Sequence, residues 1–214
     1  MEGRVPGVVV LDNPVLQDIL VRLRDRRTRY PEFRRLLYRA GVHVGYELAR
    51  LAPVEEAVVE TPLGAEARGL RLRSGDVAVV AVLRAALPYA WGMLEVLEEA
   101  RLGLIAARRL ENGRRPGVEV SYTGLPGRAG LVVLADPMLA TGVTLEASVR
   151  LLRERGLYGR LAVATVIATP EGVARVLRAE PEATVYALAV DEELDDRAYI
   201  VPGLGDAGDR AFGT

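Results

Sequence analysis

Short uninterrupted apolar runs alternate along this chain with stretches whose apolar positions recur every three or four residues. The clearest runs are 77–83, 102–106, 131–135, 161–168 and 184–190, each of the length of a buried strand and far too short to span a bilayer. Between them, 87–98, 141–155 and 170–179 carry helical periodicity. Residues 118–122 add a short strand after a Gly- and Pro-rich turn. Apolar strands alternating with helices predict an α/β protein with a mainly parallel sheet covered on both faces.

The first part of the chain follows a different pattern. Residues 8–11 form a short strand candidate, and Asp12 or Asn13 followed by Pro14 makes a helix start. Val15, Ile19 and Leu23 then keep one apolar face. A second helix is expected from near Pro31 to about Leu51, with Phe33, Leu36, Leu37 and Leu48 in the core. Two strands, 54–61 and 64–70, flank the turn Pro62-Leu63-Gly64. With no internal repeat, 214 residues suit one large domain.

Composition narrows the chemistry. The chain has no cysteine and one histidine, His43, so a thiol nucleophile and a histidine-rich metal cluster are excluded. His43 reads as a helix residue without a catalytic role. Every one of the 28 basic residues is arginine, which removes a Walker-type lysine loop and Schiff-base chemistry. Phosphate binding must therefore rest on backbone amides and on arginine forks. The N-terminus has no long apolar leader, so a cytoplasmic location is expected. A net charge of −1 argues against a dedicated nucleic-acid binder. The charge is uneven, however: residues 22–39 hold eight arginines against Asp25 and Glu32, and 180–196 hold seven acids and no base. A solvated helix face is the plain explanation of such runs.

One segment says most about function. The strand 131–135 delivers Asp136 to its carboxyl end, and the loop Pro137-Met138-Leu139-Ala140-Thr141-Gly142-Val143-Thr144 leads into a helix. Amides of such a loop, backed by a helix N-terminus, suit a phosphate dianion. A carboxylate beside them can accept from sugar hydroxyls, so the pair fits a phosphorylated ribose. Ligands of parallel sheets bind outside the carboxyl ends of strands, which draws attention to three further stretches. Arg84, flanked by small residues, follows the strand 77–83. Arg108 and Arg109 follow 102–106 and lead into a charged, Gly-rich segment, 111–117. The tail Tyr199-Ile200-Val201-Pro202-Gly203-Leu204-Gly205-Asp206-Ala207-Gly208-Asp209-Arg210 brings main-chain groups within reach of a small planar ligand, through its glycines.

The loop 136–144 resembles the binding loop for 5-phosphoribosyl 1-diphosphate (PRPP) in type I phosphoribosyltransferases. Pro137 stands where most of that family has a second acid, and with it the loop is similar to that of the uracil phosphoribosyltransferase branch. The tail 200–210 is close to that branch's signature. The resemblance covers the chain from about Asp12 to its end. It implies a doubly wound, mainly parallel sheet of the type I phosphoribosyltransferase kind, with a small hood from N- and C-terminal segments. In this picture 1–214 is a single domain, with helices of about 12–51 and the segment 191–214 as appended base-binding elements.

The implied reaction is transfer of the 5-phosphoribosyl group from PRPP to N1 of uracil, giving UMP and diphosphate. The resemblance assigns Asp136 and 137–144 to PRPP, Arg84 to the diphosphate, and Arg109, or its neighbour Arg108, to the same group; it places Asp206 near PRPP and its metal, as a further PRPP-binding residue. Arg84, Arg109 and Asp206 would be the catalytic residues. Ile200, Gly205, Asp206 and Ala207 would read uracil. Mg²⁺ is expected to arrive on PRPP without direct protein ligands, and 111–117 to be a mobile flap over the site. In the wider family the Arg84 loop often holds a cis peptide. GTP or CTP regulation is implied through the effector-like segment Arg35-Leu36-Leu37-Tyr38-Arg39, and a homo-oligomer, dimer or tetramer, is expected. From another class, the same fold can serve as an RNA-binding regulator of pyrimidine genes, a use that the near-neutral charge disfavours.

Overall fold

A computed structural model of the chain describes residues 6–110 and 117–214, excepting the side chains of 108–110, 117 and 118. Strand β1 (Val8–Val10) leads to helices α1 (Pro14–Arg24) and α2 (Tyr30–Ala49), then to a hairpin of β2 (Val54–Glu60) and β3 (Glu66–Leu72). Next come β4 (Val77–Leu83), α3 (Leu87–Val96), β5 (Arg101–Leu110), β6 (Gly117–Gly124), β7 (Ala129–Ala135) and β8 (Met138–Leu139). Helix α4 (Val143–Glu154), β9 (Tyr158–Ala164), β10 (Ile167–Ala168), α5 (Pro170–Ala179), β11 (Thr184–Ala187) and β12 (Ala189–Val190) follow. The chain closes with β13 (Glu193–Leu194), β14 (Ile200–Val201) and α6 (Ala207–Phe212).

Seven strands form the main sheet in the order β1-β11-β9-β7-β4-β5-β6. All neighbours run parallel except β6, which returns antiparallel to β5. Strand β4 shows why the sheet is covered twice. Val77, Val79 and Ala81 pack with α1, α2 and α3 in one apolar cluster. Ala78, Val80 and Val82 pack with α4 and α5 in the other. Alternate side chains point to opposite faces of a strand, so a continuous apolar run needs cover on both. Each fully buried Val or Leu contributes roughly 1.5–3 kcal/mol over exposure.

Three expectations are corrected. Helix α1 buries Leu16, Ile19, Leu20 and Leu23, whereas Val15 in its first turn is exposed. The apolar stripe therefore keeps Ile19 and Leu23 of the expected row, replaces Val15 by Leu16 and adds Leu20. The runs 161–168 and 184–190 are each broken. After β9 and β11 the chain leaves the main sheet, and β8, β10 and β12 pair in a separate three-stranded parallel sheet. The break is hydrogen-bonded throughout: the amides of Val166 and Ile167 donate to the Pro137 carbonyl, and Leu188 N–H donates to Val166 O. Both segments are buried, so apolar periodicity carries no trace of the bend. Strand β5 is also longer than expected and carries a register shift between Ala106 and Ala107.

Asn13, not Asp12, caps α1, accepting from Leu16 N–H at 3.0 Å. His43 is half-buried on α2. Among the described residues no helix is long and apolar enough to cross a membrane.

Candidate active site

The chain leaves β4 towards β5 on one side, and the later strand β7 takes its place on the other side of β4. Crossovers that diverge in this way open a crevice at the carboxyl ends of the two strands. Asp136 follows β7 there and Arg84 follows β4. A cavity of about 640 Å³ occupies the crevice. Its lining draws on four stretches: Leu83 and Ala85; Ala107; Asp136, Met138, Ala140 and Thr144; and residues 197–199 with 205–208.

The loop between Asp136 and α4 owes its shape to α5. Thr169 caps α5 by accepting from Gly172 N–H at 3.0 Å, and its hydroxyl donates to Ala140 O at 2.7 Å. Thr169 N–H donates to Leu139 O at 2.9 Å. The loop's carbonyls are thereby turned towards α5. Gly142 sits at the N-cap of α4 with φ +76°. A Cβ there would lie 2.8 Å from Gly172 O, so the position admits only glycine on both counts. No side chain caps α4. The first N–H groups of a helix have no acceptor within it, and those of α4 begin beside Thr144, which lines the cavity. Met138 N–H donates to Asp136 Oδ1 at 3.1 Å, so this carboxylate also braces the turn.

Within 137–144 the side chains divide. Pro137 and Gly142 are buried, and Leu139 is fully buried in the core with α4 and α5. These residues could meet a ligand only through the main chain. Met138, Ala140 and Thr144 reach the cavity wall, and Thr141 and Val143 are partly exposed.

Arg84 does not line the cavity, although its neighbours Leu83 and Ala85 do. The Leu83–Arg84 peptide is cis. Its guanidinium donates to Asp209 Oδ1 at 3.1 Å and to Thr214 Oγ1 at 2.7 Å, and lies 5.6 Å from the Phe212 ring centroid. The expected diphosphate arginine is thus held by the C-terminal helix. Arg108 and Arg109 belong to the last part of β5, with Arg109 opposite Val118; their side chains lie outside the described residues. Residues 111–116, which make up most of the expected flap, lie outside them as well.

The tail supplies the opposite wall. Gly205, Asp206 and Ala207 line the cavity, but Ile200 does not: its side chain is buried in the core. Asp206 also caps α6, accepting from Asp209 N–H at 2.9 Å. Arg197, Ala198, Tyr199 and Gly208 line the cavity too and are not among the expected site residues. Gly208 belongs to the first turn of α6; the other three come from a turn in which the Asp195 carboxylate accepts from the N–H groups of Arg197 and Tyr199 at 2.9 and 2.8 Å. Ala198 there holds φ +61°. The one sequence hint is an Asp two residues ahead of the turn, a common turn former.

Among the described residues no three His, Asp or Glu side chains are grouped to hold a metal. Asp136 and Asp206 are the acids that line the cavity. One or two carboxylates with substrate phosphates are the usual setting of Mg²⁺, so this donor set fits a cation held mainly by the substrate.

Fold and site together are those of a phosphoribosyltransferase. A solved adenine phosphoribosyltransferase of Trypanosoma brucei, in complex with AMP, pyrophosphate and ribose-5-phosphate, superposes with a TM-score of 0.55 at 13% identity, covering 90% of this chain and 87% of its own; this likeness is one of fold. A solved protein of Aquifex aeolicus superposes over 97% of this chain and 98% of its own, with a TM-score of 0.89 and 33% identity. The family model for uracil phosphoribosyltransferase matches residues 10–214. The uracil phosphoribosyltransferase of Pyrobaculum islandicum is 48% identical over 97% of this chain and 99% of its own length. That of Aeropyrum pernix is 45% identical over 95% and 94%. The chain belongs to the uracil phosphoribosyltransferase family.

Proposed function

We propose that the chain transfers the 5-phosphoribosyl group of PRPP to N1 of uracil. The bond from C1 to the diphosphate oxygen breaks, a bond from C1 to N1 forms, and N1 loses its proton, giving UMP and diphosphate. The observation that carries this reading is the convergence of Leu83 and Ala85, of Asp136, Met138, Ala140 and Thr144, and of residues 205–208 on one cavity. The amides that open α4, with Thr141 and Thr144, hold the 5′-phosphate. Asp136 accepts from the ribose hydroxyls. Main-chain groups of Gly205 and Ala207 match the single donor between two acceptors that uracil presents, while Ile200 supports that loop from the core. Asp206 stands between base and sugar. Arg84 and Arg109 take up charge on the departing diphosphate, a role in which fixed charges act most strongly in the transition state. Mg²⁺ bound with PRPP supplies further counter-charge. Purified protein incubated with PRPP, Mg²⁺ and each nucleobase in turn tests the reading: UMP from uracil is expected, and no product would overturn it.

The same reading extends to regulation and assembly. A cleft of about 590 Å³ between α2, α3 and α6 includes Arg35, Tyr38, Trp91 and Phe212. Leu36 and Leu37 are fully buried, so Arg35, Tyr38 and Arg39 are the members of the effector-like segment that can meet a nucleotide. Phe212 lies under Arg84, so a GTP or CTP in this cleft would touch the element that holds Arg84. Rates with and without GTP decide this; identical curves would end it. A homo-oligomer is supported by the β2–β3 hairpin, whose Val54, Val58, Leu63 and Leu70 are exposed. An isolated two-stranded ribbon needs such cover. Light scattering is expected to give a dimer or tetramer. Phosphorylated substrates and a chain without cysteine suit the cytoplasm.

A further inference from the structure

The tail 200–208 contains two adjacent pairs of residues that differ in burial. Gly203 and Leu204 are buried, while Gly205 and Asp206 are exposed at the cavity. The buried pair is anchored by two arginines from opposite directions. Arg24, in the last turn of α1, meets Asp191 as a fork: Nη1 to Oδ2 and Nη2 to Oδ1, both at 2.7 Å. The same Nη1 donates to Gly203 O at 2.9 Å, and the same Oδ2 accepts from Gly203 N–H at 3.0 Å. One ion pair therefore engages both main-chain polar groups of one residue. Arg210, from α6, donates back to the carbonyls of Leu23, Asp25 and Leu204, and lies 4.4 Å from the Phe33 ring centroid.

Gly203 is a position where small errors propagate. Its φ is +58°, and a Cβ would lie 1.9 Å from Ile200 O. Two residues later the chain reaches Gly205, at the cavity. Asp191 is only 7% exposed and the Arg24 side chain 23%. A buried ion pair is a poor source of net stability, because desolvation offsets the attraction, but it can specify one geometry over others. Here its four polar contacts leave Gly203 a single orientation. A lysine could keep the charge but could not span both carboxylate oxygens and a carbonyl at once.

We infer that the Arg24–Asp191 pair is a positioning device that sets the main chain of residues 205–207 for the nucleobase, and so governs base affinity and not sugar-phosphate affinity. This rests on the proposal that these residues read uracil. Both Arg24 and Asp191 lie outside the cavity lining, so they act through Gly203.

The test compares base-containing and base-free ligands. Arg24→Gln is expected to raise the KM for uracil tenfold or more while the KM for PRPP stays within twofold. In calorimetry its affinity for UMP should fall by a similar factor, with affinity for ribose 5-phosphate unchanged. Arg24→Lys should recover less than half of the loss, on a logarithmic scale. A general loss of structure would weaken both ligands together and would overturn the inference. Should Arg24→Gln not fold, Asp191→Asn carries the same comparison, with a uracil effect of about threefold or more. Gly205→Ala, a direct change in the loop, separates the two levels of the argument. If it raises the uracil KM and Arg24→Gln does not, the positioning role is wrong and the base site stands. If neither variant moves the uracil KM, the assignment of the base to this loop falls, and the inference with it.

Discussion

Arg84 donates to the Asp209 carboxylate at 3.1 Å across 125 positions of sequence. The residue that follows β4 is thereby tied to α6, whose first residues line the cavity. An arginine at the start of a helix opposes the helix dipole, and α3 has no side-chain cap of its own. The acid on α6 and the Phe212 ring offset that mismatch.

Replacing Arg84 with Ala is expected to lower kcat/KM by about 2–4 kcal/mol, a factor of roughly 30 to 1,000, as for one lost charge-stabilising donor. Turnover close to that of the parent chain would remove Arg84 from the mechanism. Asp209→Asn should act in the other direction. The pair is about half-exposed on both sides and so is worth only ~0.5 kcal/mol; releasing it should lower the PRPP KM by about twofold in steady-state rates.

Thr169 couples α5 to the loop 137–144 through its two hydrogen bonds, from Gly172 N–H and to Ala140 O. Thr169→Val keeps the shape and removes both. Loss of the cap should cost about 1–2 kcal/mol of stability. The freed Ala140 carbonyl should loosen the phosphate loop, so the PRPP KM is expected to rise while the uracil KM holds. A melting curve and a two-substrate kinetic grid read the two effects separately.

Gly142→Ala tests the same loop sterically. The left-handed conformation alone costs a residue with a side chain roughly 1–2 kcal/mol, and the contact with Gly172 O adds to it. Folded protein with greatly weakened 5′-phosphate binding is expected, measured by ribose 5-phosphate calorimetry. Unchanged binding would mean that this loop does not hold the phosphate.

Glu146, in the first turn of α4, bonds to Arg150 at 2.8 Å and to Arg175 of α5 at 3.3 Å. Burial raises its carboxyl, but the hydrogen bonds from Arg150 and Arg175 outweigh this and hold it below the usual carboxylate range. A depressed folded value means that the contribution is complete above the unfolded value of ~4.3 and is lost as pH falls through the folded one. Glu146→Gln should therefore lower the melting temperature at pH 7, by about 1 kcal/mol or less of stability. The gap between variant and parent should shrink below pH 4. A gap that stays constant with pH would show that the charge plays no part.

Local physics made much of this protein legible. The runs 77–83 and 131–135 are strands because a continuous apolar stretch of that length is stable only between two covering layers, and both lie at the sheet centre. The loop 136–144 is legible because strand, acid, glycine and helix start stand next to each other, although its carbonyls are oriented by Thr169, which the sequence places far away. The tail 205–207 could be singled out for a similar reason. Long-range contacts decided the rest. Val15 departs from the expected row because the apolar stripe of α1 is defined by what it packs on. Leu139 and Ile200 stand in the expected site segments, and the core takes their side chains, which leaves only their main-chain groups for a ligand. Arg197, Ala198 and Tyr199 reach the cavity only because β13 and β14 pair and aim their turn at it. Arg24 and Asp191 are separated by 167 positions, and in the sequence each belongs to an ordinary charged run. Only folding brings the two charges together out of water, where an arginine fork and a carboxylate can hold one glycine in place.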